Sequence, residues 1–425
     1  MRHFVPAKSS MKIKTLTNYD NLRVMKRYLT LLRNEPLVRR LSVIQLIAYF
    51  GAWFSNVAIY TLLIQMNTSA SIIALVAALH FLPGVFQAPL SGVILDRIHP
   101  KRLMIILTLI EIVCTLSLIS IETIGMLWFL YLLVFIRMGA SSFHFTVEMS
   151  LLPRILEGKS LQTANEIHSI IWSLSYTFGM ALSGLVVYWV GTTVAFALDA
   201  GLFVLVLILV FTLRMNIELS MNQEHFVKMM REAFGYIRRN PIVLHLMILH
   251  AVVGFTAFDA LIALAAKHFY AQIIAVSLGI GLINAARAVG LVIGPMVLGH
   301  WINNSRLGWL LVAEAVSITL WALSIEHFYF SVIASIGVGF VTTTLWSYTY
   351  TLLQHHTHSD FYGRVIAYND MIFLGVGASV SLMIGYLAER GLSLGGITLI
   401  LGSVFALAAF YYRWIQQTYT LKEMG

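Results

Sequence analysis

The chain has 425 residues, 59% of them hydrophobic and only 11% charged, with a net charge of +9 and a mean hydropathy of +0.83. An ordinary soluble domain is about a quarter charged, so these figures exclude a soluble globule and predict an all-α membrane protein embedded in a lipid bilayer. The single cysteine, Cys114, excludes both a disulfide framework and a cysteine metal site. The basic residues are dispersed between apolar runs rather than clustered with aromatics, which argues against nucleic acid as a partner.

Residues 1–40 carry ten Lys and Arg and no apolar stretch of signal-peptide type, and read as a cytoplasmic basic leader rather than a cleaved export signal. Crossing a hydrocarbon core of about 30 Å takes roughly 20 apolar residues. Windows of that kind fall near 41–64, 72–94, 103–122, 126–150, 163–188, 193–213, 241–266, 272–298, 308–324, 328–352, 365–388 and 393–414. They predict twelve transmembrane helices in two pseudo-symmetric six-helix bundles, 41–213 and 241–416, joined by a linker at 214–240 and followed by a tail at 417–425. With the N-terminus inside, 24 of the 28 Lys and Arg fall on the cytoplasmic side, Arg137 and Arg287 sit within spans, and only Lys267 and Arg390 face outward. The positive-inside rule then predicts cytoplasmic N- and C-termini in an inner membrane.

In the linker, Phe226, Met229 or Met230, Phe234 and Ile237 recur at helical spacing between basic residues, which predicts an amphipathic helix on the cytoplasmic membrane face. The linker also opens an internal repeat. At an offset of 205, Met25, Arg33, Pro36 and Leu41 meet Met230, Arg238, Pro241 and Leu246; at 204, Ile98, Arg102 and Leu103 meet Ile302, Arg306 and Leu307. Asn165-Glu166 and Asn369-Asp370 share the second offset. Two six-span halves in parallel orientation are the repeat type of a secondary transporter.

Between spans 2 and 3 stands "GVILDRIHPKR", residues 92–102. It resembles the loop 2–3 signature of the major facilitator superfamily, with Gly92, Asp96, Arg97, Lys101 and Arg102 in the motif's places and His99 where the second glycine usually stands. "FLPGVFQAPLSG" before it, "LLPRILEGKSLQTAN" after span 4, "REAFGYIRRNP" in the linker and "YGRVIAYND" before span 11 are similar to the drug and siderophore exporter branch, that of the enterobactin and macrolide exporters. The resemblance runs from about Asn34 to Gln416. It implies two six-helix bundles working by alternating access, and the branch implies export by antiport. In span 5, "GMALSG" keeps Gly179 and Gly184 of the family's antiporter signature but carries Met180 and Ser183 where Pro and Gly are usual.

The charged turn has a mechanical reading. A carboxylate at Asp96 can accept from the N-terminal amides of a neighbouring helix, whose dipole favours it, and Arg97 can pair with an acid such as Glu148 at the cytoplasmic end of span 4. Gly92, Asp96, Arg97, Arg102 and Glu148 are thus the candidate latch, although Lys101 and Arg102 also serve as plain topology signals. Charges inside spans cost at least about 2.5 kcal/mol each on insertion scales and are functional candidates by default. On span 4, Arg137, Ser141, His144 and Glu148 follow one helix face. That face of span 4 lines the central cavity in the resembled fold, where Arg137 and His144 can touch solute or couple to protons; a structural network between helices is the plainer alternative.

Further polar and aromatic stripes are Gln45, Tyr49, Trp53, Asn56 and Tyr60 on span 1; His80, Gln87 and Ser91 on span 2; His168, Trp172 and Tyr176 on span 5; and Thr343, Ser347, Tyr350 and Gln354 on span 10. Any one stripe is more often helix packing than ligand contact. Together, on spans that the resemblance places around the cavity, they suggest a chamber for an amphipathic organic solute. Glu111, Asp199, Asp259 and Glu314 are the candidate proton carriers, with Arg287 a partner for Asp259 or for an anionic solute. "HHTHSD" at 355–360 raises metal export as an alternative. No nucleophile elbow, phosphate loop or zincin pattern suggests an enzyme, and neither a cofactor nor a bound metal is expected. The expectation is a monomeric secondary transporter whose partners are a small solute and protons, with proton-coupled efflux of a drug or siderophore favoured. Uptake of a nutrient or small organic anion, and a receptor or scaffold on the same fold, are the rivals.

Overall fold

Three membrane helices begin on proline, at Pro36, Pro100 and Pro241, where the missing N–H costs nothing because the first turn offers it no acceptor. Two others begin after a serine whose hydroxyl accepts from the backbone, Ser69 from Ile72 at 3.4 Å and Ser393 from Gly396 at 3.1 Å. The computed structural model describes residues 18–88, 94–95, 97–215 and 226–421. Gly92 and Asp96 therefore lie outside the described residues. Among the described residues every regular element is helical, and ten helices are long and apolar enough to cross a membrane.

Two features relate these ten to the twelve spans expected. Gly158–Phe211 runs for 54 residues but is non-helical at Gly191, with φ 81° and ψ 174°, a conformation that only a residue without Cβ adopts freely. It divides into arms 158–190 and 192–211, in the places of spans 5 and 6. Pro100–Leu118 is a further apolar helix of 19 residues, with Lys101, Arg102 and Glu111 in it. Span numbers 1 to 12 are used below on this basis, the others being Pro36–Gln65, Ala70–Gln87, Leu127–Ile155, Pro241–Tyr270, Val276–Leu298, Leu307–Ser324, Phe328–His356, Ser359–Glu389 and Leu394–Thr418. Span 7 is interrupted: helix Pro241–Ala251 gives way to a tighter turn at Val252–Thr256, and the chain resumes as Asp259–Ala265 and a wide turn at Ala266–Tyr270.

Within the first half, span 1 packs on the span 5–6 hairpin; in the second, span 8 packs on span 10 and span 9 on span 12. The halves meet where span 2 lies on span 11 and span 5 on span 8. Glycine allows that approach: a Cβ on Gly184 would come within 2.8 Å of the Ser277 carbonyl, and one on Gly281 within 2.9 Å of that of Met180. Nearby, Ser71 N–H donates to Glu389 at 3.0 Å and Lys267 Nζ to the Thr68 carbonyl at 2.9 Å.

These inter-half contacts share one end of the bundle. Gly184 is 18 residues along span 5 from Glu166, about 27 Å at 1.5 Å per residue, and Glu166 is where the leader docks. One apolar core runs through both halves, whereas a second, from Leu31 to Met215, belongs to the first half alone. Among the described residues contacts between the halves run from the far end to mid-bundle, where the Tyr176 hydroxyl donates to Asn284 at 3.1 Å and Leu374 faces Gly84.

The leader contains a helix, Asn18–Asn34. Arg27 forms an ion pair with Glu166, and Tyr28 donates to the same carboxylate at 3.0 Å. In the linker helix, Phe226–Arg239, Ile237 of the expected stripe is buried together with Ala233, and Phe234 is 58% exposed. The physical reason is that its inner face rests on protein. Tyr236 stacks on Phe361 at 4.5 Å, the Tyr368 hydroxyl donates to the Met230 carbonyl at 3.2 Å, and Glu232 faces Arg364 at 3.5 Å.

Candidate functional site: a charged core and an aromatic face

The first half buries a polar network between spans 1, 3, 4 and 6. Arg137 on span 4 pairs with Asp199 on span 6 at 2.9 Å, both side chains at most 2% exposed. Arg137 Nε also donates to Thr115 Oγ1 at 3.0 Å, and the Ser55 hydroxyl donates to Asp199. Gly51 on span 1 makes the room, since a Cβ there would meet Asp199 Oδ1 at 2.5 Å. One to two turns along span 4, His144 bridges two carboxylates: Nδ1 lies 3.4 Å from Glu111 of span 3 and Nε2 3.7 Å from Glu148. Tyr49 donates to Glu148 at 2.7 Å, and Gln45 reaches that carboxylate as well.

The stripes divide accordingly. Gln45, Tyr49, Asn56, Tyr60, Arg137, His144 and Tyr176 are buried in helix packing. Trp53, His80, Gln87, Ser141, Trp172, Arg287, Thr343, Ser347 and Tyr350 are half-buried. The expected pairing of Arg97 with Glu148 is not seen: Arg97 is exposed, whereas Glu148 is fully buried against Tyr49 and His144. Nor does Arg287 take Asp259. Its guanidinium lies over the rings of Tyr176 at 5.9 Å and Phe258 at 5.6 Å, while Asp259 stands within Coulombic range of Tyr60 and His80. His80 is held by Asn56 Oδ1 and the Val76 carbonyl, each at 2.8 Å, and Gln87 donates to the Gly139 carbonyl at 2.9 Å. Glu314, buried on span 9, accepts from Thr342 at 2.7 Å.

Spans 5 and 10 each carry an aromatic face. Trp172 and Tyr176, one turn apart on span 5, stack at 5.6 Å, and Trp53 meets Tyr176 edge-on at 4.7 Å. On span 10, Trp346 and Tyr350 stack in the same way at 5.1 Å, on the face that also carries Thr343, Ser347 and Gln354. In the "HHTHSD" loop, His356 Nδ1 contacts the Leu352 carbonyl at 2.9 Å and His358 faces Asp360 at 3.6 Å. Among the described residues no three His, Cys, Asp or Glu side chains are grouped to hold a metal.

Some functional neighbours were absent from the sequence reading. Lys101 Nζ donates to the carbonyls of Phe211 at 2.8 Å and Leu213 at 2.7 Å, and Arg40 to that of Thr212 at 2.7 Å, so basic residues cap the C-terminal end of span 6, where the dipole favours cations. Trp346, stacked on Tyr350, was also outside the expected stripe. The spacing of Trp346 and Tyr350, four apart on one helix, was the available signal.

The Major Facilitator Superfamily model matches residues 41–381. The chain belongs to that superfamily. It is 28% identical over 231 residues to the uncharacterized MFS-type transporter YfiS of Bacillus subtilis, covering 53% of this chain and 55% of the relative, so it spans little more than half of that protein's length. Macrolide efflux protein A of Streptococcus pyogenes is 22% identical over 330 residues, 75% of this chain and 80% of the relative. Among solved structures, the D-xylose-proton symporter superposes with a TM-score of 0.72 at 9% identity, covering 88% of this chain and 97% of that one. The nucleoside transporter NupG gives 0.68 at 13%, covering 90% and 100%. Identities this low speak to the fold alone. Membership of that superfamily makes the protein a multi-pass membrane transporter of small solutes and not an enzyme.

Proposed function

We propose that this facilitator exports a small amphipathic organic compound by alternating access, driven by proton entry, and that the buried core of the first half is its proton-binding element. The observation that carries the reading is the charge balance of that core. Three buried carboxylates, Glu111, Glu148 and Asp199, share one guanidinium and one imidazole. Arg137 neutralises Asp199, and even a charged His144 leaves one glutamate uncompensated. An unpaired buried charge is costly enough that the group takes a proton instead. Besides these groups, the polar side chains facing the core include Gln45, Tyr49 and Ser55 of span 1, Cys114 and Thr115 of span 3 and, behind Tyr49 at 5.7 Å, His168 of span 5.

A proton delivered to the Glu111–His144–Glu148 group neutralises it, and its release recharges the core, so spans 1, 3 and 4 prefer different packing in the two states. That is the differential stabilisation a two-state transporter needs. Orientation follows the basic residues: with the leader and linker cytoplasmic in an inner membrane, the halves are closed outside and the chamber opens to the cytoplasm, where an exporter loads. The two bundles comprise 41–213 and 241–416, and the unit is one chain. Asp96 and Arg97 of the 92–102 turn remain the latch, with Glu148 reassigned to the proton site. Asp259 lies at the contact of the halves and is a second-rank carrier; Glu314 holds span 9 to span 10. The efflux relatives support the direction.

In proteoliposomes with an imposed pH gradient, Glu111→Gln and Glu148→Gln should abolish gradient-driven solute accumulation while leaving solute exchange without a gradient intact. Glu314→Gln should keep both. Full coupling in both first-half variants would overturn the assignment.

A further inference from the structure

Resting on the export reading, we infer that Trp346, Tyr350 and Asp370 form a subsite for a lipophilic organic cation, such as a protonated amine or a quaternary centre bearing apolar groups. Trp346 and Tyr350 present stacked rings on the uncovered face of span 10, with Trp346 39% exposed. His250 of span 7 backs them, its ring 5.7 Å from Trp346, 5.3 Å from Tyr350 and 5.4 Å from Phe373 of span 11. That imidazole is fully buried; Nδ1 contacts Thr349 Oγ1 at 2.9 Å, while Nε2, amid the three rings, has no hydrogen-bond partner. His250 thus fixes three helices and their rings in one wall.

Asp370 supplies the charge. It is half-buried on span 11, within Coulombic range of the Tyr350 hydroxyl, one and two turns before Leu374 and Gly377, which face Gly84 and Phe81 of span 2 across the contact of the halves. Among the described residues its one hydrogen-bond donor is the Asn369 side chain at 3.3 Å, and no cation pairs with it. The nearby basic groups are occupied elsewhere. Arg364 is held by Glu232 and by the Asp360 carbonyl at 2.6 Å, and Arg287 lies over Tyr176 and Phe258. A carboxylate partly withdrawn from water with no counter-ion among the described residues, one turn from Phe373 of the same wall and near a phenol stacked on an indole, attracts a cation by two additive routes. An anion meets only repulsion, and a neutral solute leaves the carboxylate unpaired.

Tetraphenylphosphonium and tetraphenylborate share a shape and differ in sign, which makes them the probes. In equilibrium dialysis with the purified full chain, the wild type should bind the phosphonium and reject the borate. Asp370→Asn should weaken phosphonium binding about tenfold, Asp370→Glu should stay within about threefold, and Trp346→Leu should weaken it about fivefold with the carboxylate in place. Equal affinity for the two ions, no phosphonium binding by the wild type, or unchanged binding in both Asp370→Asn and Trp346→Leu would overturn the subsite. Trp346→Leu also covers the case in which Asp370→Asn fails to fold. Binding is read without a gradient, so phosphonium binding without pH-driven flux keeps the subsite and removes export, whereas flux of a neutral solute without phosphonium binding does the reverse.

Discussion

The two halves hold their centres together by opposite means. In the first, an ion pair and a glutamate–histidine–glutamate bridge join spans 1, 3, 4 and 6. In the second, spans 8 and 10 touch backbone to backbone: a Cβ on Gly290 would strike the Ile336 carbonyl, one on Gly294 that of Phe340, and one on Gly339 that of Arg287. Where Arg137 and Asp199 stand, an offset of 204 brings Val341 and Ser403. Small-residue packing needs no hydration change to persist, whereas a charged core answers to protons. On the proposed reading the repeat divides labour, the second half packing on glycine and the first answering to protons.

The sharpest way to break this contrast is to unpair the first half. Arg137→Met should cost about 3–5 kcal/mol by leaving Asp199 buried without its partner, while Arg137→Met with Asp199→Leu should recover most of that loss. Thermal unfolding of the purified variants reads both. If the double variant is no more stable than the single one, the ion pair is not what Arg137 contributes. In the second half, Gly339→Ala should cost about 1–3 kcal/mol through overpacking against a carbonyl that has no flexible end to yield, and the same unfolding measurement should show no rescue by any charge change. A neutral outcome would mean that spans 8 and 10 part easily, and the description of a half packed on glycine would fall.

Much of the fold was legible because hydropathy over about 20 residues is a property of the chain itself. The spans and the linker helix needed no partner to be recognised. What failed was the assignment of faces. Gln45 and Tyr49 share a stripe with Trp53, yet the first two turn to Glu148 and the third to Tyr176, since residues three and four apart sweep a face wide enough to meet two neighbours. The breaks in span 7 were hidden because its hydropathy runs on without interruption. Asp370 was visible only as a mark of the repeat, because the absence of a counter-ion is a fact about other helices. The linker helix was expected to lie on lipid, and its docking on Phe361, Arg364 and Tyr368 is a fact about span 11 that its own sequence does not carry.

The smallest effect tests how the repeat keeps its parts in order. The leader and linker helices are equivalents, each one residue ahead of the residue before a span-opening proline, and Arg27 and Glu232 stand 205 positions apart. Their ion pairs have opposite polarity: Arg27 meets Glu166 on span 5, and Glu232 meets Arg364 on span 11. At the offset of 204, Glu166 answers to Asp370 and Arg364 to Ser160, so the two ion pairs join non-equivalent positions of the repeat. Both pairs are partly solvated, which limits each to about 0–1 kcal/mol. A double-mutant cycle of Arg27→Glu with Glu166→Arg should give about 0.5 kcal/mol of coupling at low salt and less at high salt, as screening of exposed charges requires. Combining Arg27→Glu with Glu232→Arg reverses both helices without touching the spans. That variant should be less stable than the sum of neutral substitutions at the same two positions, because each helix then faces a like charge, a carboxylate at position 27 against Glu166 and a guanidinium at position 232 against Arg364; additivity there would show that these charges do not hold the helices in place.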